Sequence, residues 1–175
     1  MELKVIQSDA LKQLPWYGGG LRFTCSQCGN CCTGGPGYVW ISEKEIDRLA
    51  GHLKITTCQV VARYCRKIGS KYSLKEHRNS HGEHDCIFLK EEKVASGKDG
   101  EQIIFTKRSC TIYQFRPLQC RTWPFWEGNL AGPENWSLSS RRCHGMNNGP
   151  RVFSQAEIEA LRDAEDWPDK PPTSG

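Results

Sequence analysis

The chain has 175 residues, of which 37% are hydrophobic, and 24 basic against 20 acidic residues give it a net charge of +4. This length suffices for one domain with a core, but the modest apolar content and the ten cysteines indicate that metals or cross-links add to its stability. No apolar run reaches the roughly 18 residues of a membrane helix, and Met1 to Pro15 lacks the apolar stretch of a signal peptide. The sequence therefore predicts a cytoplasmic protein with no membrane span, in which thiols stay reduced.

Capping patterns predict where the helices begin. Three helices start at the capping boxes Ser42-x-x-Glu45, Thr56-x-x-Gln59 and Ser154-x-x-Glu157. Apolar residues then recur at helical spacing, along one side as far as Ile68 in the second helix and through about Ala164 in the third.

Short apolar runs predict the strands. "GYVWIS" indicates one strand, and "CIFLKE" and "QIIFTK" indicate two more around the turn-rich "SGKDG", with "CTIY" continuing the last. The fold class expected is α+β: a small, irregular, loop-rich domain with a short β-hairpin or sheet flanked by about three helices.

Four segments are predicted along the chain. Residues 1–22 form a lead-in, residues 23–150 a cysteine-cluster domain, residues 151–166 a C-terminal helix packed on that domain, and residues 167–175 a disordered tail.

The first group of cysteines is compact. Cys25, Cys28, Cys31 and Cys32 form C-x2-C-x2-C-C, and the two-residue gaps let successive sulfurs converge on one centre. Bacterial ferredoxins use a similar run, but their C-x3-C-P completion is absent here. The pattern indicates a metal site that is not a standard ferredoxin loop.

The second group is scattered and consists of Cys86, Cys110, Cys120 and Cys143. The strands that begin at Cys86 and Cys110 can bring both thiols to one end of a hairpin. Disulfides are the alternative for all of these cysteines, but the adjacent Cys31-Cys32 pair and the missing signal peptide favour metal ligation.

Two arginines frame the stretch "RPLQCR". Metal-bound thiolates keep a net negative charge, so we expect the guanidinium of Arg116 or Arg121 to lie inside the protein beside the cysteines. The same negative charge would offset the basic excess of the chain, which makes nucleic acid a disfavoured partner.

The remaining cysteines and the histidines are assigned no ligand role. Cys58 and Cys65 lie seven residues apart on one predicted helix, about 10 Å along its axis, too far for metal–sulfur bonds of about 2.3 Å to one ion. They are interpreted as buried small apolar residues. The stretch with His77, His81 and His84 is interpreted as a solvated loop, and His144 beside Cys143 as at most an outer partner; whether any of these histidines is a ligand stays open.

"FTCSQCGNCC", "DCIFL", "CTIYQFRPLQCRTWPF" and "CHG" together resemble the YkgJ-type cysteine-cluster family, the CxxCxxCC zinc- or iron-chelating domain, over about residues 23–145. The resemblance implies eight metal-binding cysteines, which are Cys25, Cys28, Cys31, Cys32, Cys86, Cys110, Cys120 and Cys143. Some members carry the module within larger enzymes, where it looks like an iron–sulfur site.

Three functions follow as candidates. The first is a protein that chelates iron, as iron ions or an iron–sulfur cluster, or else Zn²⁺, in a redox, metal-handling or partner-supporting role. The second is a structural zinc module for a protein or nucleic-acid partner, and the third is a metal-dependent oxidoreductase or enzyme subunit. No catalytic residue can be assigned, because no substrate-binding motif is visible. Cysteine-only ligation suits zinc and iron alike, and the ferredoxin-like first run slightly favours an iron–sulfur cluster.

Overall fold

Short helices and small sheets alternate along residues 14–96 and 103–164, the part of the chain that the computed structural model describes. The helices are α1 Glu43–Leu53, α2 Thr57–Tyr64, α3 Leu118–Thr122, α4 Glu127–Leu130, α5 Pro133–Ser140 and α6 Gln155–Arg162. The strands are β1 Leu21–Arg22, β2 Thr33–Gly34, β3 Val39–Ile41, β4 Cys65–Ile68, β5 Lys71–Leu74, β6 Glu76–Arg78, β7 His84–Cys86, β8 Leu89–Ser96, β9 Ile103–Cys110 and β10 Val152–Phe153. The α+β class is therefore confirmed.

The strands form four small antiparallel sheets in the described part of the chain. Two have three strands, in the orders β2-β7-β6 and β3-β5-β4, and two are the pairs β1-β10 and β8-β9. The pair β1-β10 joins distant parts of the sequence, with Leu21 opposite Phe153. The pair β8-β9 is a long hairpin on which Ile103, Ile104 and Phe105 are exposed.

The three predicted helices begin where the capping boxes placed them. The glutamate carboxylate of the first box accepts from the Ser42 N–H at 3.1 Å, and the Thr56 and Ser154 hydroxyls accept from backbone N–H groups of their own helices. The second helix is shorter than predicted. It ends at Tyr64, and Ile68 lies instead in β4.

The strand predictions hold in part. "GYVWIS" contains β3, and "CIFLKE" and "QIIFTK" contribute to β8 and β9. "CTIY" does not continue the last strand, because β9 ends at Cys110 and the chain turns into a short 3-10 helix, Tyr113–Phe115. The histidine stretch is a loop only in part: His77 and His84 lie in β6 and β7, which pair as a short hairpin, and His81 lies in the exposed turn between them.

Two separate hydrophobic clusters stabilise the fold. The aliphatic cluster is centred on Ile41, Ile46, Leu49, Ala50, Val60, Leu74, Phe88 and Ile112. The aromatic cluster is centred on Tyr17, Leu21, Phe23, Phe125, Leu130, Trp136, Met146, Phe153 and Ile158. Their members are almost fully shielded from solvent, so each cluster contributes hydrophobic stabilisation of its own.

The ends of the chain are only partly covered. The predicted tail 167–175 lies outside the described residues, as do residues 1–13 of the lead-in and residues 165–166 of the predicted C-terminal helix. Within the described ranges, no helix has the length and apolar character needed to cross a membrane.

Candidate metal centre

One cavity of about 50 Å³ lies where the two clusters meet. Leu74, Phe88 and Ile112 of the aliphatic cluster line one part of it, and Phe23 and Trp123 from the aromatic side line another. Eight cysteines share its wall: Cys25, Cys28, Cys31, Cys32, Cys86, Cys110, Cys120 and Cys143. The structure thus brings together the eight thiols that the sequence selected.

The two excluded cysteines lie elsewhere. Cys65 is buried at the start of β4, as predicted, but Cys58 is exposed on α2, so its interpretation as a buried residue is wrong. Neither lines the cavity. All ten cysteines are free thiols.

The cysteine loop turns sharply at Gly29. This residue has a φ of 74° and begins the 3-10 turn that holds Cys31 and Cys32, whose N–H donates to the Gly29 carbonyl at 2.9 Å. A Cβ atom at Gly29 would stand 2.8 Å from Arg108 Cβ and 2.9 Å from a methyl of Leu89. A glycine therefore lets the loop pack directly on the base of the β8-β9 hairpin.

The cysteines from α3 and β9 are fixed by their neighbours. Cys110 ends β9 opposite Leu89, and Cys120 lies in α3. The Gln119 side chain joins α3 to β3, since its Oε1 accepts from the Trp40 N–H at 2.6 Å. These contacts hold both thiols at the junction between sheets and helices.

Cys143 is held close to the cysteine loop. The Trp123 Nε1–H points at Cys143 Sγ from 3.4 Å, and the Thr24 N–H donates to the Gly145 carbonyl at 3.1 Å. Arg142 adds a further link, because its guanidinium donates to the Thr33 carbonyl at 3.0 Å. Two segments more than 100 residues apart in sequence therefore meet at the cavity.

The eight thiols line a common cavity but are spread around its wall. Cys31 Sγ and Cys32 Sγ are 3.9 Å apart. Among the residues described, no three cysteine, histidine, aspartate or glutamate side chains are grouped tightly enough to hold a metal ion as they stand. Binding a metal would bring several of these sulfurs closer together, which rotation about Cα–Cβ bonds permits.

Burial and mutual repulsion govern the ionisation of these thiols. Burial raises the pKa of Cys86 to about 11 and also raises the pKa of Cys110. Burial, followed by the charges of Cys86 and Cys31, raises the pKa of Cys120 well above its usual value. The hydrogen bond between Cys31 and Cys32 lowers the pKa of Cys31 to about 7 and raises that of Cys32. Several thiols crowded in a water-poor cavity cannot all ionise unless a cation takes the place of their protons.

Arg116 and Arg121 have different environments. Arg116 lines the cavity, its Nε donates to the Tyr113 carbonyl at 2.8 Å, and its guanidinium carbon lies 3.6 Å from the centre of the Tyr113 ring. Arg121 turns away and pairs with the buried Glu45 carboxylate at 3.2 Å. The expectation of one arginine beside the cysteines agrees with the position of Arg116 and not with that of Arg121.

The histidines differ in their distance from the cysteines and in their exposure. His84 lines a second cavity, of about 220 Å³, which Cys31, Cys32, Cys86 and Cys120 line as well. His77 and His144 are exposed on the surface. The sequence interpretation of a solvated loop covers His84 with its neighbours, and its His-x-Cys spacing places it on the same face as Cys86 only because the segment is a strand.

The cavity defines a class of protein, a thiol-rich metal-binding domain, because soft thiolate donors at this density suit zinc or iron. The chain belongs to the CxxCxxCC family, described as "Putative zinc- or iron-chelating domain", which matches residues 24–144. It is also similar to an uncharacterized protein of Methanocaldococcus jannaschii, with 33% identity over 110 residues that make up 62% of this chain and 48% of the relative. The match thus spans about half the length of that relative. No solved structure matches this chain with comparable significance.

Proposed function

We propose that the chain binds iron through its eight cavity cysteines, in the form of an iron–sulfur cluster, and serves in redox or metal-handling chemistry. The observation that carries this proposal is the convergence of thiols from the cysteine loop, β7, β9, α3 and the segment after α5 on one cavity. Thiolates are the ligands preferred by iron–sulfur clusters and by zinc.

The size of the cavity supports a centre of several atoms. A space for one water-sized occupant measures about 10–15 Å³, so the volume of about 50 Å³ corresponds to roughly three to five such occupants. A single ion with four ligands would leave half of the thiols without a partner. A cluster, or a pair of sites, uses the donor set more completely.

The residues around the thiols suit a redox centre. When bound, an iron–sulfur cluster supplies one-electron transfer. Phe23, Phe88 and Trp123 line the cavity and restrict the access of water to it, and Arg116 places a positive charge beside the negative sulfurs. Because such chemistry needs reduced thiols, we place the protein in the cytoplasm.

A structural zinc site is the second candidate. It is favoured by the position of the cavity, where a metal would cross-link the aliphatic and aromatic clusters. In that case the metal would support a surface for a protein partner. A direct role as an oxidoreductase or enzyme subunit is the third candidate, for which the second cavity beside four of the cysteines offers room for a small substrate.

The deciding experiment is the metal and sulfide content of the full chain purified without oxygen. We expect a brown protein with iron and acid-labile sulfide, and Cys58→Ser, which changes an exposed thiol away from the cavity, should keep both. A colourless protein with zinc and no sulfide would establish the structural alternative. A protein with neither metal would overturn metal binding.

A further inference from the structure

One imidazole nitrogen beside the cysteines has no partner within the protein. His84 Nδ1 is fully shielded from solvent and makes no hydrogen bond among the described residues. Leaving a buried polar atom unpaired destabilises the folded state. His84 lines the second cavity with Cys31, Cys32, Cys86 and Cys120, and rotation of its ring about the Cβ–Cγ bond would bring the unpartnered nitrogen to a ligand in that cavity.

The strand register places His84 and Cys86 on one face. In the β2-β7 pair, Thr33 lies opposite Asp85 and Gly34 opposite His84. Side chains alternate along a strand, so His84 and Cys86 point to the same side and Asp85 to the other. Their Cβ atoms are about 7 Å apart at a rise of about 3.3 Å per residue, a separation that one metal can bridge with bonds of about 2.0–2.3 Å.

The opposite face of β7 is already occupied. Asp85 Oδ1 accepts from Thr33 Oγ1 at 2.5 Å and from Asn79 Nδ2 at 2.9 Å. His77 lies on that side too, with its Nε2 4.0 Å from Asp85 Oδ2. His77 is therefore a surface residue of the same sheet that cannot serve the cysteine side, which makes it a matched control.

The two cavities divide the eight thiols into equal halves. Cys31, Cys32, Cys86 and Cys120 line both of these cavities, whereas Cys25, Cys28, Cys110 and Cys143 line the first and not the second. We infer that His84 Nδ1 is a nitrogen ligand of the metal held by Cys31, Cys32, Cys86 and Cys120. This inference rests on the proposed function. In this role the ring is neutral and its Nε2 keeps the proton. A neutral imidazole in place of a thiolate lowers the negative charge of the centre and raises its reduction potential.

Cobalt(II) provides a probe for this ligand. The full chain is loaded with Co²⁺, and two signals are recorded: the near-ultraviolet thiolate-to-cobalt absorption, and the proton NMR lines that the paramagnetic ion shifts far outside the normal range. The imidazole N–H of a bound histidine exchanges with solvent, so its shifted line disappears in D₂O, whereas cysteine methylene lines persist. We expect one such exchangeable line in the wild-type protein and in His77→Ala, and its loss in His84→Ala with about 10–100-fold weaker Co²⁺ binding.

The outcomes separate the inference from the function on which it rests. If the thiolate absorption forms but the wild-type protein gives no exchangeable shifted line, or if the line persists in His84→Ala, His84 is not a ligand and the cysteine site stands. If no thiolate absorption forms, the proposed function fails and the inference fails with it. Should His84→Ala not fold, His84→Cys preserves a metal ligand at the position, and loss of the line with cobalt retained supports the inference equally.

Discussion

The aliphatic and aromatic clusters are built from the sequence in different ways. The aliphatic cluster comes from residues 41–112, a continuous stretch that contains α1, α2 and the strands β4 to β9. The aromatic cluster gathers residues 17–23, 125–146 and 153–158, joined by two-residue strands and short helices. Bringing residues 17–23 next to residues 125–146 closes a loop of about 100 residues. The conformational entropy lost in closing it is not offset by contacts within either segment. A metal bound at the cavity between the clusters would therefore stabilise the aromatic cluster most.

Removing the metal should affect the aromatic cluster more than the aliphatic one, and it is the change with the largest expected effect. Structural metal sites can contribute on the order of 10 kcal/mol to folding, so we expect a chelator to abolish or strongly lower the thermal transition. Tryptophan emission, for which Trp16, Trp123 and Trp136 in and around the aromatic cluster supply half of the six tryptophans of the chain, should shift to longer wavelength before the helical circular dichroism of α1 and α2 is lost. A transition that a strong chelator leaves unmoved would contradict the metal's structural role.

Truncating one buried side chain to alanine in each cluster has the next largest expected effect. Phe125 lies at the centre of the aromatic cluster, with its ring 4.6 Å from Phe153 and 5.9 Å from Phe23. Phe125→Ala should lower the free energy of unfolding by about 3–5 kcal/mol and Leu49→Ala by about 2–5 kcal/mol.

Denaturant melts combined with metal assays separate the two variants. Since Phe125 packs on Phe23, which lines the cavity, Phe125→Ala should also release metal at a lower chelator concentration, whereas Leu49→Ala should not. Equal chelator sensitivity of both variants would show that the metal serves the two clusters alike.

Single thiol substitutions give a smaller effect. Cys143→Ser removes a thiol packed on the aromatic cluster, and Cys110→Ser one packed on the aliphatic cluster. We expect each to weaken metal binding by at least about tenfold, or 1.4 kcal/mol, as measured by metal content after dialysis. Cys58→Ser and Cys65→Ser should keep the wild-type stoichiometry, and metal loss in Cys65→Ser would overturn the assignment.

The arginine beside the thiols has the smallest expected effect. The charge of Arg116 lowers the pKa of Cys31, Cys110 and Cys120, although burial and thiol contacts matter more. Arg116→Leu should thus favour the protonated thiols and weaken metal binding by less than about tenfold in a chelator competition.

Arg121→Leu is the matched control for this measurement. It breaks the pair with Glu45, whose side chain is 4% exposed, so it should lower the free energy of unfolding by about 1–3 kcal/mol. Metal affinity should stay at the wild-type value. A larger loss of affinity in Arg121→Leu than in Arg116→Leu would reverse the two roles.

Local chemistry explains what could be predicted from the sequence. The capping boxes at Ser42, Thr56 and Ser154 act within one helical turn, so the start of each helix follows from four residues. The choice of eight cysteines rested on spacing and on a family resemblance, and the structure gathers those eight at one cavity.

Long-range packing explains what could not be predicted. The second helix stops at Tyr64 because Cys65–Ile68 pairs with Lys71–Leu74 as a strand, a tertiary choice that the helical apolar spacing of Ile68 does not reveal. Similarly, the sequence around His84 does not reveal that this residue lies in a strand paired with β2, and without the strand its spacing from Cys86 carries no information on its direction. The division into two clusters depends on contacts between residues more than 100 positions apart, so no short stretch of the sequence indicates it.

The pairing of Leu21–Arg22 with Val152–Phe153 has a consequence for how this unit can be used within larger proteins. It sets the beginning and the end of the described fold side by side, as in modules that are tolerated as insertions in a host chain. A polypeptide could leave one loop of a host domain, form the whole cysteine cavity and return to the same loop with little disturbance of the host. A fold whose ends lie side by side can thus be inserted into host domains of different architecture.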